Sequence, residues 1–399
     1  MAEPTIRAQR VEIGDGCEFG DNVVIEADEV VVGPGSRIGT SGGDDFRTPP
    51  GVRITADRFL VGAGVQIGRA VRVEGGAIRL GDEVRIVRHA TIRVLDELEI
   101  GTHGTVGEAC EISGRSVHIG QELWMLPQAK IGGGSAFERP SRLDAGHYLH
   151  LGVQTLVNTA RPVTLGHEVG LGTRTSIYTH GAYPSRLMGF PVAYAGVEIG
   201  DFTWVPGATI NPGVRIGRNC VIGVNSLVTK DIPDGSLAAG SPATVIRAGA
   251  YPSPLTGERL HDFWMSFLGQ LAQLEGSPAT AVSSPDLGTV TIALGATTYV
   301  GILDADAWER RGRDSTIAAN RLLVVGAGTA GEAERDGVTA FDTATRRIAG
   351  VADERSERLA NELRRHGIRF YSRGRGGRYR DWDVVVPAFE GPAPTASES

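Results

Sequence analysis

A histidine stands where a regular pattern in this sequence breaks off. Residues 175–185 read TSIYTHGAYPS, and His180 opens a segment rich in glycine, tyrosine and proline. An imidazole has an ordinary pKa of about 6.5, so it can accept a proton at neutral pH from a hydroxyl that attacks an activated carbonyl. The alternative is a loop histidine that makes a hydrogen bond without chemistry. The choice depends on the elements that hold it.

Those elements follow a period of six. Aliphatic residues recur at positions 61, 67 and 73, then 80, 86 and 92, then 100, 106 and 112, then 119, 125 and 131. Neither a helix nor an ordinary strand repeats at this period, whereas a chain that turns a corner after every short strand does. The sequence therefore predicts a mainly β protein, with a left-handed parallel β-helix of hexapeptide repeats in a domain over residues 1–250.

Three segments interrupt the period and are predicted to be loop insertions near residues 40–58, 132–150 and 179–196. Each combines glycine with proline or with several polar residues. Solenoids that carry insertions on one face often place their binding residues there. The segment that begins near His180 is therefore a candidate for a functional loop.

The C-terminal part of the β-helix carries specific motifs. Residues 221–233 read VIGVNSLVTKDIP, residues 239–247 read AGSPATVIR, and residues 177–201 read IYTHGAYPSRLMGFPVAYAGVEIGD. These segments resemble the maltose and galactoside O-acetyltransferase type of the hexapeptide-repeat acyltransferase family, over about residues 155–247. The resemblance implies a homotrimer with acetyl-coenzyme A, or another acyl-coenzyme A, in grooves between subunits. It also implies that His180 is the general base for the acceptor hydroxyl.

Further site residues follow from the same resemblance. It implies acceptor binding by Asn158, Tyr183 and Phe190. It implies coenzyme binding by Trp204, Val224, Thr229, Lys230 and Arg247. For Lys230, a flexible point charge suited to phosphate, the alternative is a surface ion pair with Asp231 or Asp234.

The acceptor is expected to be a small molecule or glycan, with transfer to a hydroxyl of a sugar, a glycosylated compound or another biosynthetic intermediate. Transfer to an amine stays open. One alternative is a non-catalytic trimeric scaffold that displays the C-terminal domain. Another is a zinc enzyme similar to the γ-class carbonic anhydrases, because His147, His150 and His167 lie close to His180 in the sequence. The spacing of these histidines departs from that class, so no metal is expected.

Composition narrows the class of partner and the compartment. The net charge is −7 and the basic residues are dispersed, which argues against a nucleic-acid partner. No apolar run approaches the ~20 residues of a membrane span, so no membrane association is expected. Cys17, Cys110 and Cys220 lie far apart in sequence and predict a reducing, cytoplasmic location.

The C-terminal third is predicted to fold separately. Residues 251–285 should hold an amphipathic helix, expected to pack back on the β-helix, and a linker. Residues 286–390 read as a small α+β domain of unknown role, and residues 391–399 as a disordered tail. The glycines at 326, 328 and 331 resemble a dinucleotide-binding loop, and Ser315 resembles a carrier-attachment site. Both lack the surrounding elements and are disfavoured.

Overall fold

The protein is described from a computed structural model that covers residues 3–40, 51–303 except 285 and 287, 321–327, 329, 337–375 and 378–381. Two compact units divide the chain, Met1–Pro252 and Ser253–Ser399. Each unit has its own hydrophobic core. The units are described separately below.

The period of six in the first unit marks the residues that point inward. Every member of the four aliphatic triplets between positions 61 and 131 is buried in one continuous core. Parallel hydrogen bonds join each coil to the next, and eleven strands follow one another along one face within the described residues. The predicted parallel β-helix of hexapeptide repeats is confirmed.

Each coil has three faces, and in the early coils the first two are made by one long strand that bends. In the strand Thr91–Ile100 the register shifts between Val94 and Glu97, which lets the strand turn the corner. The long strands are Val24–Val32, Arg53–Val61, Arg72–Leu80, Thr91–Ile100 and Glu111–Ile119. Two shorter strands, Thr5–Arg7 and Arg10–Ile13, precede them on the same two faces.

Later coils use separate short strands. The first face continues through Lys130–Ile131, Leu156–Val157, Ser176–Ile177, Thr209–Ile210 and Leu227–Val228. The second face continues through Arg142–Ala145, Val163–Leu165, Val197–Ile199 and Arg215–Ile216. The third face consists of Glu18–Phe19, Arg37–Ile38, Gln66–Ile67, Arg85–Ile86, Thr105–Val106, Trp124–Met125, His150–Leu151, Gly170–Leu171, Trp204–Val205, Val221–Ile222, Leu237–Gly240 and Ala243–Arg247.

Two of the predicted insertions are shorter than expected. The prediction of a loop through residue 150 is wrong, because Arg142–Ala145 pairs with the preceding coil and Leu143 and Leu149, six residues apart, are buried. The prediction of a loop through residue 58 is wrong for the same reason. There the strand Arg53–Val61 turns Ile54 and Ala56 inward. Residues 41–50 lie outside the described residues.

The corner between the second and third faces uses side chains to bind the backbone of the coil before. Asp82 Oδ1 accepts a hydrogen bond from the amide of Ala63 at 3.0 Å, and Asp201 Oδ1 accepts one from His167. Two histidines take the same position: His147 Nδ1 accepts from Gln121 N at 2.9 Å, and His167 Nδ1 accepts from His147 N at 3.1 Å. These ring nitrogens must therefore be unprotonated.

The second unit is an α+β fold, as predicted. Its helices within the described residues are Gly257–Leu274 and Glu354–Arg365. One mixed sheet holds, in order, Val282–Ser284, Thr289–Leu294, Thr297–Ile302, Arg321–Gly326, Val338–Asp342 and Arg347–Gly350, and a hairpin joins Ser372–Arg375 to Arg378–Asp381. The central three strands, which begin at Thr297, Arg321 and Val338, are parallel to one another.

The first helix of this unit packs on its sheet. Trp264 and Phe267 are buried in the same cluster as Val290 from the sheet, and Trp264 Nε1 donates to the carbonyl of Ile302 at 3.1 Å. The apolar face of this helix, which the sequence predicted to pack on the β-helix, therefore packs on the sheet of its own unit. Its apolar pattern predicted the buried face correctly, but an amphipathic pattern does not identify the surface that covers it.

Several predicted features lie outside the described residues: the glycines at 328 and 331, Ser315 and the tail. Neither helix in the described part of the chain combines the length and the apolar character needed to cross a membrane.

The histidine at position 147 predicts a loss of stability in acid. Burial, and then the charge of His167, lower the pKa of His147 to about 4. In the unfolded chain this histidine has a pKa of about 6.5, so it binds a proton at a higher pH than it does in the folded protein. The stability that neutral His147 contributes is therefore present above about pH 6.5 and is lost as the pH falls from about 6.5 to 4. Between about pH 7 and 5, the free energy of unfolding should fall by about 1 kcal/mol more in the wild type than in His147→Asp, allowing for solvent screening of the half-buried ring.

Urea unfolding followed by circular dichroism measures this difference. Aspartate is a suitable replacement for His147, because Asp82 and Asp201 already occupy the equivalent corner position in other coils. Equal pH dependence in the two proteins would contradict the assigned role of the ring nitrogen.

Candidate active site

His180 lies at the corner between the first and second faces. It follows the strand Ser176–Ile177, and its backbone pairs with Tyr194 in a two-stranded antiparallel ladder that closes residues 179–196 into the histidine loop. Thr179 is buried beneath it and accepts a hydrogen bond from the amide of Arg161 at 3.1 Å. The start of the loop is thereby fixed to the coil, while residues 181–190 are exposed.

Asn158 orients the imidazole. It occupies the same corner one coil earlier, because Leu156–Val157 pairs with Ser176–Ile177. Its Oδ1 lies 2.9 Å from His180 Nδ1 and also accepts from the Thr179 hydroxyl at 2.7 Å. An amide oxygen can only accept, so His180 Nδ1 must carry the hydrogen. The neutral ring then has its lone pair on Nε2, which is the nitrogen able to act as a base.

The other end of the Asn158 side chain fixes this assignment. Its Nδ2 donates to the carbonyls of Gly132 and Gly134, at 3.3 and 3.2 Å. Exchanging oxygen and nitrogen would set an oxygen against two carbonyl oxygens and a nitrogen donor against a hydroxyl already bonded elsewhere. One buried amide therefore links the start of the preceding insertion, the corner and the histidine loop.

The contact of Asn158 with an acceptor stays a prediction. The residue is buried, and both its oxygen and its nitrogen bind protein groups. It lies behind the imidazole, where it positions His180. The other two predicted acceptor residues, Tyr183 and Phe190, lie in the histidine loop, where Tyr183 is fully exposed and Phe190 about half exposed.

Three residues that the sequence did not indicate complete the surroundings of His180. The Tyr194 ring stacks on the imidazole with 5.7 Å between centroids, and the guanidinium of Arg161 covers Tyr194 at 4.6 Å. Arg161 also pairs with Glu138 at 3.2 Å. The hydroxyl of Ser135 and then Arg161 hold the pKa of the Glu138 carboxyl below its usual range. These residues lie in irregular segments, where no period marks them.

Two of the predicted coenzyme residues share the corner of His180. Thr229 and Lys230 follow Leu227–Val228 on the first face, two coils beyond Ser176–Ile177, a separation of about 10 Å along the β-helix. Asp231 and Asp234 each accept a backbone amide, from Arg215 and Arg218. Within the part of the chain that the structure describes, Lys230 forms no ion pair, so the surface pair considered from the sequence is not present.

The remaining predicted coenzyme residues lie on other faces and corners of the β-helix. Trp204 begins a strand of the third face, Val224 follows Val221–Ile222 at the corner between the third and first faces, and Arg247 ends a hairpin beside the third face. All three are exposed. A single protomer therefore does not place them beside His180.

The other histidines have separate roles. His147 and His167 bind the backbone at the corner between the second and third faces. His150 lies on the third face between Trp124 and Trp204, with ring centroids 5.4 and 6.2 Å away. No group of three or more potential metal ligands occurs among the residues that the structure describes.

Comparison with known proteins identifies the family. No protein-family model matches the chain. A protein of Schizosaccharomyces pombe, named "Putative acetyltransferase", is 35% identical over 161 residues, which cover 37% of this chain and 74% of that protein. The galactoside O-acetyltransferase of Escherichia coli is 33% identical over 138 residues, covering 32% of this chain and 62% of the relative. The chain thus spans less than two thirds of the second protein.

Solved structures give similar matches. A hexapeptide-repeat acetyltransferase of Vibrio cholerae complexed with acetyl-coenzyme A is 22% identical, covering 37% of this chain and 69% of that chain, with a TM-score of 0.24. A galactoside acetyltransferase in complex with coenzyme A is 27% identical, covering 34% of this chain and 64% of that chain, with a TM-score of 0.27. Given the sequence relatives above, the chain belongs to the hexapeptide-repeat acyltransferase family. It is an acyltransferase, as its motifs predicted.

Proposed function

We propose that the protein is an acyl-coenzyme A-dependent O-acyltransferase in which His180 is the general base. The observation that carries this proposal is the hydrogen bond from His180 Nδ1 to Asn158 Oδ1, at 2.9 Å, which leaves the lone pair on Nε2. Family membership supports the acyl transfer, and the name of the E. coli relative supports a sugar hydroxyl as acceptor.

The reaction needs one group that takes and returns a proton. The acceptor oxygen attacks the thioester carbonyl carbon while its proton passes to His180 Nε2. The tetrahedral intermediate then collapses, the carbon–sulfur bond breaks, and the sulfur takes the proton from the imidazolium. The products are an ester and the free thiol of the coenzyme. No covalent enzyme intermediate is required, because the thioester is already activated.

Replacing His180 by alanine should lower kcat by about 10² or more and leave coenzyme affinity unchanged, because the base acts in the chemical step. Thiol release measures turnover and calorimetry measures coenzyme A binding. His89→Ala, which changes a corner residue on another coil, is the control. Near-normal turnover without His180 would contradict the proposal, and a chain that binds no coenzyme A would favour the scaffold alternative.

Asn158→Ala separates positioning from folding in the same assay. It keeps the imidazole but removes the acceptor that holds its hydrogen on Nδ1. We therefore expect a lower kcat with an unchanged KM for the acyl donor. Asn211→Ala, at the same corner two coils later, is its control.

Lys230 is proposed to bind a phosphate of the coenzyme. Its ammonium group is exposed and forms no ion pair among the described residues. Lys230→Ala should therefore raise the KM for acyl-coenzyme A and leave kcat nearly intact, which is the result of losing binding that is equal in ground and transition states. The loss should be much smaller for an acyl-pantetheine donor, which lacks those phosphates. Equal losses with both donors would show that Lys230 acts on the structure instead.

Lys130→Ala is the matched control for this measurement. It also removes a lysine from the first face of the β-helix, but Lys130 forms an ion pair with Glu111 at 2.7 Å. A surface ion pair of this kind contributes at most about 1 kcal/mol to the free energy of unfolding. We therefore expect no change in the KM for acyl-coenzyme A or for acyl-pantetheine.

We further propose that the active form is a homotrimer with sites shared between subunits. Trp204 and Val224 lie on a different face and corner from His180, so a complete site would require residues from two copies. We expect light scattering to give three chains per particle. We also expect exchange of subunits between His180→Ala and Val224→Trp proteins to restore activity, because some interfaces then hold two intact halves. A fully active monomer would contradict this arrangement.

The compartment is proposed from the cysteines. Cys17, Cys110 and Cys220 are all free thiols, and burial raises the pKa of Cys110 and Cys220. Free, unreactive thiols are typical of a reducing cytoplasm. Proteolysis of intact and lysed cells, with detection of the chain, tests this location.

A further inference from the structure

The edge of His180 that carries Nε2 is faced by a residue without a side chain. A Cβ built on Gly134 would lie 3.4 Å from His180 Nε2 and 3.5 Å from Cε1. Apart from its own chain neighbours, it would meet no other described atom within 4 Å. The added carbon would therefore lie beyond the Nε2–Cε1 edge of the ring, in space that is otherwise open. Position 134 is itself exposed.

The backbone at this position is held in place. The carbonyl of Gly134 accepts the hydrogen bond from Asn158 Nδ2 at 3.2 Å, so the amide that orients His180 also fixes Gly134. Ala136 is buried, and its amide donates to the Gly133 carbonyl at 3.2 Å. Farther along, Ser141 is buried and its hydroxyl donates to Thr159 at 3.3 Å. Hydrogen bonds and buried residues of segment 133–141 therefore hold the open space beside Nε2 in place.

This opening is where an acceptor must approach. A hydroxyl that gives its proton to Nε2 has to lie about 2.6–3.2 Å from it, and the carbon that bears the hydroxyl comes next. A methyl group at 3.4 Å from the same nitrogen would occupy the room of that carbon and its substituents. A side chain at position 134 would therefore leave space for a slim acceptor while excluding a branched one.

We propose that Gly134 is a specificity-determining residue that admits acceptors branched at the carbon bearing the hydroxyl, such as a secondary hydroxyl of a sugar ring. This inference rests on the proposed role of His180 as the base. Gly134 lies outside the left-handed backbone region, so alanine or valine can replace it without backbone strain. Gly181 has the same property, and a Cβ there would meet nothing within 4 Å. It provides a matched control next to His180.

Access to Nε2 can be measured without knowing the natural acceptor. Diethyl pyrocarbonate acylates exposed imidazole nitrogens, and peptide mass spectrometry resolves the rate at His180 from that at the other histidines. We expect Gly134→Val to slow modification of His180 several-fold, and Gly181→Ala to match the wild type. Thermal unfolding of each variant checks that the fold is kept. Equal rates at His180 in the wild type and Gly134→Val would overturn the inference.

The kinetic test uses acetyl-coenzyme A with two acceptors, water and methyl β-xylopyranoside, whose hydroxyls are all secondary. Gly134→Ala should lower transfer to the sugar by roughly tenfold relative to hydrolysis by water, since water has no branch to exclude. An unchanged ratio, with His180→Ala inactive toward both acceptors, would overturn this inference and leave the proposed function intact. Full activity of His180→Ala would instead overturn the proposed function.

Discussion

Parallel hydrogen bonding between successive coils is the constraint on which the rest of the first unit depends. It fixes each residue at the height of its counterpart in the next coil, so the inward aliphatic residues stack in continuous columns. The corners are stacked in the same way. Because Val157 pairs with Ile177, Asn158, which follows Val157, and His180, three residues after Ile177, meet at one corner. The site is therefore a consequence of coil stacking.

The two kinds of corner use this stacking differently. Between the second and third faces, Asp82, His147 and Asp201 accept backbone amides and close each coil on the one before. Between the first and second faces, Asn158 both donates to carbonyls and accepts from a side chain that can carry chemistry. An amide can do both, whereas a carboxylate could not donate to the carbonyls of Gly132 and Gly134. The difference in residue type explains why one corner is structural and the other holds His180.

Interruptions of the period supply what the regular coils lack. The segments 133–141 and 179–196 leave the β-helix at the same corner, two coils apart, and reach each other through Asn158 and through the Glu138–Arg161–Tyr194 contacts. The Tyr194 ring stacked on the imidazole and the open space at Gly134 beside Nε2 both belong to these segments. The rigid solenoid sets the position of the imidazole, and the two insertions shape its surroundings.

The sequence by itself determined the β-helix, because a period of six reports directly which side chains point inward. Its motifs also predicted the acyltransferase family and indicated His180 as the candidate base. Only the tertiary structure decided that Asn158 lies behind the imidazole, that Tyr194 and Gly134 flank it, and that the helix from Gly257 covers the sheet of its own unit. It also decided that the chain rejoins the β-helix at Arg142. A period records the direction of a side chain relative to its own coil. The contacts around His180 instead join irregular segments of different coils, whose meeting point depends on how the coils stack.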